Sequence, residues 1–281
     1  MGVSDGVLKL LRQHVPALRA ERVVTIESGW DSVVYEVDGM WIFRFPRRAE
    51  VAARIRTEAA LLPELGPTLP APVPRFEVAV FDDVSFVGYR KLAGEPLRRG
   101  IDEPELGRRL GTFVSTLHQF PVERAVGLGI PADEAWPARI HDFVAMLEVR
   151  VLPLLGEADA ARAQTMFDRF LSQDAGFDAA VLHADLGPEH VLHRGPELTG
   201  VLDWSDARIG DPALDLAWPL HATGPRFSDA VLHAYGGNEE LRERALFYHR
   251  LGPWHEVLYG QYENRPEFVR SGLDAIRKRL P

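Results

Sequence analysis

The chain has 281 residues, of which 46% are hydrophobic and 26% are charged, so it is long enough to bury a sizeable core and to form two lobes. Its 41 acidic residues outnumber its 32 Lys and Arg residues, for a formal net charge of −9, and without a basic run we expect no nucleic-acid partner. The sequence has no Cys, which excludes disulfides, thiolate nucleophiles and Cys-bound metals.

The N-terminal part of the sequence predicts a helix followed by a small antiparallel sheet. The apolar spacing of residues 4–19 is typical of an amphipathic helix. Short segments rich in Val, Ile and aromatic residues then predict strands, and Asp38-Gly39 is a hairpin-turn signal. A helix over 49–65, which carries Glu58, interrupts the strand pattern. The predicted strands cover 22–27, 33–37, 40–45, 76–81 and 84–90.

The rest of the chain is predicted to be mostly helical. From about residue 101 the apolar residues follow helical spacing, and only 180–203 interrupts it, with short strands and polar loops. A β-rich front followed by a helical remainder is an α+β arrangement. The predicted helices cover 103–119, 138–156, 158–172, 211–222, 227–235, 238–261 and 265–279.

Targeting signals are not evident in the sequence. The N-terminus lacks the basic-then-apolar layout of a signal peptide, and no apolar stretch approaches the roughly 18 residues that span a bilayer. We therefore expect a cytoplasmic protein without membrane association, and we expect it to be a monomer.

The densest group of polar residues is HADLGPEH at 183–190, followed by GVLDWSD at 200–206. Phosphoryl transfer needs a carboxylate near the acceptor hydroxyl, and oxygen or imidazole ligands for the divalent ion that bridges the phosphates. In a catalytic loop, Asp185 would accept or orient the acceptor proton, while His190 and Asp203 would hold Mg²⁺ from two facing strands. One ion held by His183, Asp185, His190 and Asp203 would also suit a metal-dependent hydrolase.

The spacing H-x-D-x-x-x-x-H, followed by an apolar strand and Asp203, resembles the signature of the antibiotic phosphotransferases. Most of that family has Asn at the position of His190. The His, together with TGVLDWSDARIGDPALDLAW, is similar to the aminoglycoside 2″-phosphotransferases and the macrolide 2′-phosphotransferases. The resemblance covers most of the chain and implies a bilobal, protein-kinase-like fold. It implies a small antiparallel β-sheet N-lobe with the hinge over 1–92, and a mostly helical C-lobe with the catalytic loop and substrate site over 93–281.

The resemblance also implies a nucleotide site. IESGWDSVVY lies where the phosphate-covering loop is expected but lacks G-x-G-x-x-G, so Gly29 would offer a backbone N–H and Ser32 a hydroxyl. Arg44 in WIFRFPRR stands at the position of the family's strand Lys or Arg, which contacts the α- and β-phosphates, and Glu58 would be its ion-pair partner. FVGYRKL resembles the family hinge, whose backbone would meet the purine of ATP or GTP at Tyr89, Arg90, Lys91 and Leu92.

The activity implied by the resemblance is transfer of the γ-phosphate of ATP or GTP, with Mg²⁺, to a hydroxyl of an aminoglycoside. A macrolide acceptor and a small-metabolite acceptor remain open. A cationic amino sugar favours carboxylates around the acceptor, whereas a macrolide favours an apolar wall. A binding module without catalysis would have no chemical need for both Asp185 and Asp203. Candidates for the acidic lining are Glu189, Asp206, Glu256 and Glu263, and those for the apolar wall are Trp254, Leu258 and Tyr259.

Three polar residues near the motif are interpreted as structural. His183 would brace the catalytic loop with hydrogen bonds. Asp211 precedes Pro212 and would cap the start of a helix. Asp215 would bind the catalytic loop as part of its scaffold.

Overall fold

The computed structural model describes residues 3–28, 31–131, 136–172 and 176–281. The chain divides into two compact units, of which the first comprises residues 1–98, 119–131 and 185–207. The second comprises residues 99–118, 132–184 and 208–281. In the part of the chain that the structure describes, no helix has both the length and the apolar character to cross a membrane.

Strands and helices are numbered here in chain order. The strands are β1 Val23–Ser28, β2 Ser32–Val37, β3 Trp41–Pro46, β4 Phe76–Phe81, β5 Ser85–Arg90, β6 Glu95–Pro96, β7 Ala180–Leu182, β8 Val191–Arg194, β9 Glu197–Val201 and β10 Arg208–Gly210. The helices are α1 Val3–His14, α2 Ala49–Leu65, α3 Pro104–His118, α4 Val122–Gly127, α5 Trp136–Arg150, α6 Glu157–Leu171, α7 Ala217–His221, α8 Pro225–Tyr235, α9 Glu239–Tyr262 and α10 Pro266–Arg279.

The first unit is built on an antiparallel sheet with the strand order β1-β2-β3-β5-β4. The turn between β2 and β3 has positive φ at both Asp38 (53°) and Gly39 (68°). The N–H of Met40 donates to the carbonyl oxygen of Val37 at 3.1 Å, and Val37 pairs with Trp41 across a three-residue connection. Asp and Gly adopt positive φ in such a turn readily. The hairpin predicted from Asp38-Gly39 is therefore confirmed.

The two faces of this sheet pack against different helices. Because neighbouring residues of a strand point to opposite faces, β3 directs Phe43 to one side and Arg44 to the other. Phe43 belongs to the core that contains Val7 and Leu11 of α1. Val87, the β5 partner of Arg44, instead packs with Val51 and Ile55 of α2. The alternation of β3 thus aims Arg44 at the helix that carries Glu58.

The second unit is mostly helical, and α3 packs closely against α8. A Cβ atom on Gly107 would lie 2.5 Å from the carbonyl oxygen of Phe227, and one on Gly111 would lie 2.4 Å from that of Val231. Only glycine permits this approach of the helix backbones. The short strands β7 and β10 pair antiparallel in the same unit, and β7 leads directly into the catalytic-loop sequence.

Three predicted helices were wrong in extent. The helix predicted over 4–19 ends at His14, because Pro16 disfavours helical backbone in the residue before it. The helix predicted over 138–156 ends at Arg150, and a 3₁₀ turn containing Pro153 follows. The continuous helix predicted over 211–222 is a 3₁₀ turn, Pro212–Leu214, followed by the short α7. The sequence also gave no signal for α4.

Candidate active site

The hairpin of β8 and β9 brings His190 and Asp203 together within the first unit. Val191 pairs with Val201, and the N–H of Leu202 donates to the carbonyl oxygen of His190 at 2.8 Å. His190 and Asp203 therefore stand at the same end of the hairpin. Nε2 of His190 lies 4.0 Å from Oδ2 of Asp203, and Nδ1 lies 3.7 Å from Oδ2 of Asp185.

The hydrogen bond of His190 fixes which ring nitrogen carries the proton in the neutral form. Nδ1 lies 2.7 Å from the carbonyl oxygen of Asp185, and because a carbonyl only accepts, Nδ1 must donate. The neutral ring then presents the Nε2 lone pair on the side of Asp203. Burial disfavours the imidazolium, but the carboxylates of Asp185 and Asp203 outweigh it and raise the pKa of His190.

Asp185 lies in an acidic neighbourhood. Partial burial and the negative charges of Asp206 and Asp203 raise the pKa of Asp185 to about 7, although the nearby His190 opposes the rise. A carboxyl group with a pKa near neutrality is suited to accept a proton from a hydroxyl. The acidic neighbourhood also suits a positively charged ligand.

Arg44 and Glu58 form a buried ion pair beside this cluster. Nη1 of Arg44 lies 2.9 Å from Oε1 and 3.1 Å from Oε2 of Glu58, and the Glu58 side chain is fully buried. Burial raises the pKa of Glu58, and the guanidinium of Arg44 opposes that rise. Nη2 of Arg44 donates to Oδ1 of Asp203 at 2.8 Å, so one guanidinium links the helix α2 to the segment after β9.

Asp203 adopts a left-handed backbone conformation, with φ 60°. Asp tolerates this conformation better than most residues. Its side chain is 42% exposed and accepts a hydrogen bond from Ser205 Oγ at 3.1 Å in addition to that from Arg44. The carboxylate is thus held from two sides and still accessible.

The donor set of His190 and Asp203 fits a magnesium–nucleotide complex. Mg²⁺ in nucleotide sites is usually bound by one or two protein ligands and completed by phosphate oxygens and water. Within the described ranges, no group of three or more His, Asp and Glu residues is arranged to hold a metal by itself. A His–Asp pair would suit a metal that arrives with phosphates, and the imidazole would be its softer ligand.

A second arginine bridge in the first unit was missed from the sequence. Arg54 of α2 pairs with Asp31, which precedes β2, and its Nη1 lies 2.5 Å from Oδ1 of Asp206. Nη2 of Arg48 donates to Asp31 at 2.6 Å. The available signal was the four-residue step from Arg54 to Glu58, which places both on one face of α2. Asp206 is consequently an ion-paired carboxylate in this structure.

The predicted phosphate-loop residues are only partly within the described chain. Gly29 lies outside the described residues. Ser32 begins β2 and is buried, and its Oγ has no hydrogen-bond partner among the described residues. A buried hydroxyl without a partner is uncommon and is available to a ligand or water.

Of the four residues predicted as the hinge, Tyr89 and Arg90 end β5, and Lys91 and Leu92 follow it. The Tyr89 ring is buried, Arg90 lies over the Trp41 ring at 4.0 Å, and Lys91 Nζ lies 2.5 Å from Oε2 of Glu36. The backbone N–H of Lys91 donates to the carbonyl oxygen of Met40 at 2.8 Å. The Leu92 side chain packs against Gly200, because a Cβ atom on Gly200 would lie 2.8 Å from Cδ1 of Leu92. These side chains are engaged within the unit, as expected if only the backbone meets a purine.

The catalytic-loop sequence is anchored by Asp215 within the second unit. Its carboxylate accepts the N–H of His183 at 2.8 Å and that of Ala184 at 2.7 Å, which agrees with the predicted scaffold role. His183 is fully buried. Asp211 caps the 3₁₀ turn by accepting the N–H of Ala213 at 3.0 Å, as predicted, although the turn is not the start of the long helix expected there.

The acceptor-lining candidates differ in accessibility. Trp254 is fully buried, so it does not present an apolar wall. Tyr259 is half-buried against the Phe268 ring, with ring centroids 5.4 Å apart. Glu189 is exposed and, like Asp206, contributes to the raised pKa of Asp185. In the second unit, Glu263 is exposed and Glu256 accepts a hydrogen bond from Ser271.

Comparison with known proteins identifies the family. A model of the phosphotransferase enzyme family matches residues 22–248, a range that contains Arg44, Glu58, Asp185, His190 and Asp203. The chain belongs to the phosphotransferase enzyme family. The predicted family and the predicted enzyme class are confirmed.

Relatives of this phosphotransferase cover most of its length. It is 28% identical over 247 residues to viomycin phosphotransferase from Streptomyces vinaceus, covering 83% of this chain and 82% of the relative. It is also 28% identical over 255 residues to the uncharacterized protein YcbJ from Bacillus subtilis strain 168, covering 82% and 79%.

Solved structures confirm the kinase-like fold of the phosphotransferase. The GDP and kanamycin complex of APH(2″)-IIIa matches with a TM-score of 0.90 at 24% identity, covering 98% of each chain. The macrolide 2′-phosphotransferase MphH from Brachybacterium faecium matches with a TM-score of 0.78 at 24% identity, covering 97% of each chain. The α+β fold class predicted from the sequence is therefore correct.

Proposed function

We propose that this phosphotransferase moves the γ-phosphate of ATP or GTP to a hydroxyl group of an aminoglycoside antibiotic. The observation that carries the proposal is the meeting of Asp185, His190 and Asp203 at one point of the first unit. The buried pair of Arg44 and Glu58, joined to Asp203, supplies the cation that a triphosphate needs.

Asp185 is proposed as the base. The acceptor oxygen attacks the γ-phosphorus in line with the leaving β-phosphate oxygen, so a new P–O bond forms as the old one breaks. The hydroxyl proton passes to the Asp185 carboxylate, and a nucleoside diphosphate leaves. The raised pKa of Asp185 supports this role, because a base near neutrality accepts the proton without being permanently protonated.

The nucleotide is proposed to be held by side chains and backbone of the first unit. His190 and Asp203 would hold Mg²⁺, which neutralises phosphate charge when bound. Arg44 would contact the α- and β-phosphates, with Glu58 holding its guanidinium in place, and Ser32 would donate its hydroxyl to a phosphate. The backbone at Tyr89, Arg90, Lys91 and Leu92 would bind the purine.

The aminoglycoside acceptor is favoured over a macrolide by the side chains around Asp185. Glu189 is exposed and places negative charge near Asp185, which favours an acceptor that carries ammonium groups, whereas the charge of Asp206 is already paired with Arg54. Trp254, a candidate for an apolar wall, is buried. Structures similar in fold include complexes named for kanamycin, gentamicin and streptomycin. A macrolide or a small metabolite is the alternative acceptor.

We also propose the bounds of the two lobes, the cellular location and the oligomeric state of the enzyme. We take residues 1–92 as the nucleotide-binding N-lobe with the hinge, and residues 93–281 as the C-lobe. A cytoplasmic monomer without nucleic-acid partners is consistent with a kinase that meets its nucleotide and its antibiotic inside the cell.

Transfer of labelled γ-phosphate from ATP and from GTP, with Mg²⁺, to a panel of aminoglycosides, macrolides and simple metabolites tests the proposal. The expected result is phosphorylation of an aminoglycoside by the wild type and by the control variant Asp274→Ala, which removes an exposed carboxylate paired with Arg277. Transfer to a macrolide or a metabolite alone would show that this compound, and not an aminoglycoside, is the acceptor. Nucleotide binding without transfer to any class would contradict the proposal.

A further inference from the structure

The residue before Asp185 has a strained backbone. Ala184 has φ 66°, a left-handed conformation that brings the Ala Cβ too close to the following carbonyl oxygen. Such a conformation persists in a non-glycine residue only when the surrounding structure holds it there. Since the Ala184 peptide leads directly into Asp185, whatever holds Ala184 also sets the direction of the backbone at Asp185.

Asp215 supplies that hold. Its two carboxylate oxygens accept the N–H groups of His183 and Ala184 at 2.8 and 2.7 Å, and its side chain is fully buried. Two hydrogen bonds to consecutive N–H groups fix the orientation of two successive peptides. The carboxylate performs this function only while its own rotamer is fixed.

His118 and Tyr235 fix the rotamer of Asp215. Nε2 of His118 lies 3.1 Å from Oδ2 of Asp215, and Nδ1 lies 2.9 Å from the Tyr235 hydroxyl. Because the ionised carboxylate only accepts, Nε2 donates to it, and the Nδ1 of the neutral ring then accepts from Tyr235. The imidazole is 5% exposed and meets the Tyr235 ring edge-on, with centroids 5.5 Å apart.

The protonation states of Asp215 and Tyr235 agree with these hydrogen bonds. Burial opposes ionisation of Asp215, but the hydrogen bond from His118, with further help from His183, lowers its pKa. Burial raises the pKa of Tyr235 to about 12, so its hydroxyl retains the proton it donates.

We propose that Tyr235 and His118 are positioning residues for the reaction, which act through Asp215 and Ala184 on the direction of Asp185. The inference rests on the proposed role of Asp185 as the base. Tyr235 ends α8 and His118 ends α3, so the close packing of these two helices is coupled to the geometry of the base. Their loss should lower kcat and leave the KM for the nucleotide unchanged, because the phosphate-binding groups belong to the first unit.

The structure offers a matched control for Tyr235→Phe. Tyr248 donates its hydroxyl to another buried carboxylate of the second unit, that of Asp211, at 3.1 Å. Tyr248→Phe therefore removes a comparable hydrogen bond from a carboxylate that caps a different turn. We expect Tyr235→Phe to lower kcat about 10-fold, within the 10²-fold that a misplacement of about 1 Å can cost, and Tyr248→Phe to leave kcat within about 2-fold. Equal kcat values for the two variants at similar thermal stability would overturn the inference.

A glycine background separates positioning from general stability. Glycine adopts φ near +66° without penalty, so Ala184→Gly should make the loop less dependent on its brace. We expect the kcat loss from Tyr235→Phe to shrink from about 10-fold to about 2-fold in the Ala184→Gly background. The same loss in both backgrounds would show that Tyr235 acts by another route.

Hydrogen exchange tests the brace without relying on turnover. In Tyr235→Phe the amides of His183 and Ala184 should exchange about 5-fold or more faster than in Tyr248→Phe, as followed by NMR. Unchanged exchange would overturn the inference whatever the acceptor. An Asp185→Ala variant with normal turnover, together with faster exchange in Tyr235→Phe, would instead overturn the assignment of the base and leave the brace intact.

Discussion

The replacement Arg44→Met tests how much the buried ion pair of Arg44 and Glu58 contributes to the stability of the fold. In the wild type, Glu58 accepts two hydrogen bonds from Arg44 and one from the N–H of Trp204 at 3.4 Å. Methionine fills most of the arginine volume but leaves the fully buried Glu58 with the weak Trp204 bond alone. An unpaired carboxylate in such a place takes up a proton rather than remaining charged.

The free-energy cost of keeping Glu58 protonated in the folded variant depends on pH. With an ordinary pKa of 4.5 for Glu, holding Glu58 protonated at pH 7 costs about 3.4 kcal/mol, at about 1.36 kcal/mol per pH unit. At pH 5 the same term is about 0.7 kcal/mol. Because the folded-state pKa of Glu58 is raised, the folded variant is favoured at low pH and loses stability as the pH rises above 4.5. The lost contact with Asp203, whose side chain is 42% exposed, adds about 1 kcal/mol at most.

Urea unfolding at pH 5, 6, 7 and 8 measures this dependence. Arg44→Met should lose more stability relative to the wild type at pH 8 than at pH 5, because wild-type Glu58 ionises beside Arg44 above its raised pKa of about 7, whereas the unpaired carboxyl of the variant must stay protonated. The double replacement Arg44→Met/Glu58→Leu removes both charges and should recover most of the stability, without the pH dependence.

The double variant should nevertheless bind nucleotide poorly. Loss of charged hydrogen bonds to phosphate, worth about 1.5 to 3 kcal/mol, corresponds to roughly a 10- to 100-fold rise in the KM for the nucleotide. A stability loss in Arg44→Met that is the same at pH 5 and pH 8 would refute the reasoning about Glu58. Normal nucleotide KM in the stable double variant would refute the role of Arg44 on the phosphates.

Three further predictions concern the metal, the base and the sheet. Asp203→Asn should raise the Mg²⁺ concentration for half-maximal activity by about 10-fold or more, with an unchanged circular dichroism spectrum; an unaltered Mg²⁺ titration would contradict its role as a ligand. Asp206→Asn removes a negative charge that raises the pKa of Asp185. The acidic limb of the kcat/KM profile, where activity falls as Asp185 is protonated, should therefore move to lower pH. A shift of this limb to higher pH would count against Asp185 as the base. Gly88→Ala would place a Cβ atom 2.4 Å from the Phe43 ring and should destabilise the protein by about 1 to 3 kcal/mol in urea, whereas unchanged stability would mean that the sheet yields there.

Local patterns allowed much of the fold to be predicted. The helix over 49–65 has the predicted bounds, and the hairpin at Asp38-Gly39 has the predicted turn, because both depend on neighbouring residues. The predicted grouping of Asp185, His190 and Asp203 agrees with the structure, since Asp185 and His190 share one loop and Asp203 follows the paired strand β9. The helix ends near Pro16 and Pro153 were misjudged because apolar spacing continued past the point where proline stopped the helix.

Contacts between distant residues could not be predicted in the same way. Arg54 and Asp206 are separated by 152 positions, and His118 and Tyr235 by 117, so no local pattern links them. Asp215 was recognised because it lies in the same motif region as the loop it holds. His118 and Tyr235 stand at the ends of helices, where a polar residue usually indicates only solvent exposure.

The most direct test of the central claim compares the wild type with Asp185→Ala in one phosphate-transfer reaction. The acceptor and the nucleoside diphosphate are followed together by mass spectrometry, with Mg²⁺ and both ATP and GTP as donors. Wild-type enzyme should add one phosphoryl group to an aminoglycoside hydroxyl, and Asp185→Ala should do so about 10² or more times slower. An aminoglycoside that gains phosphate at the same rate with either protein would contradict the account.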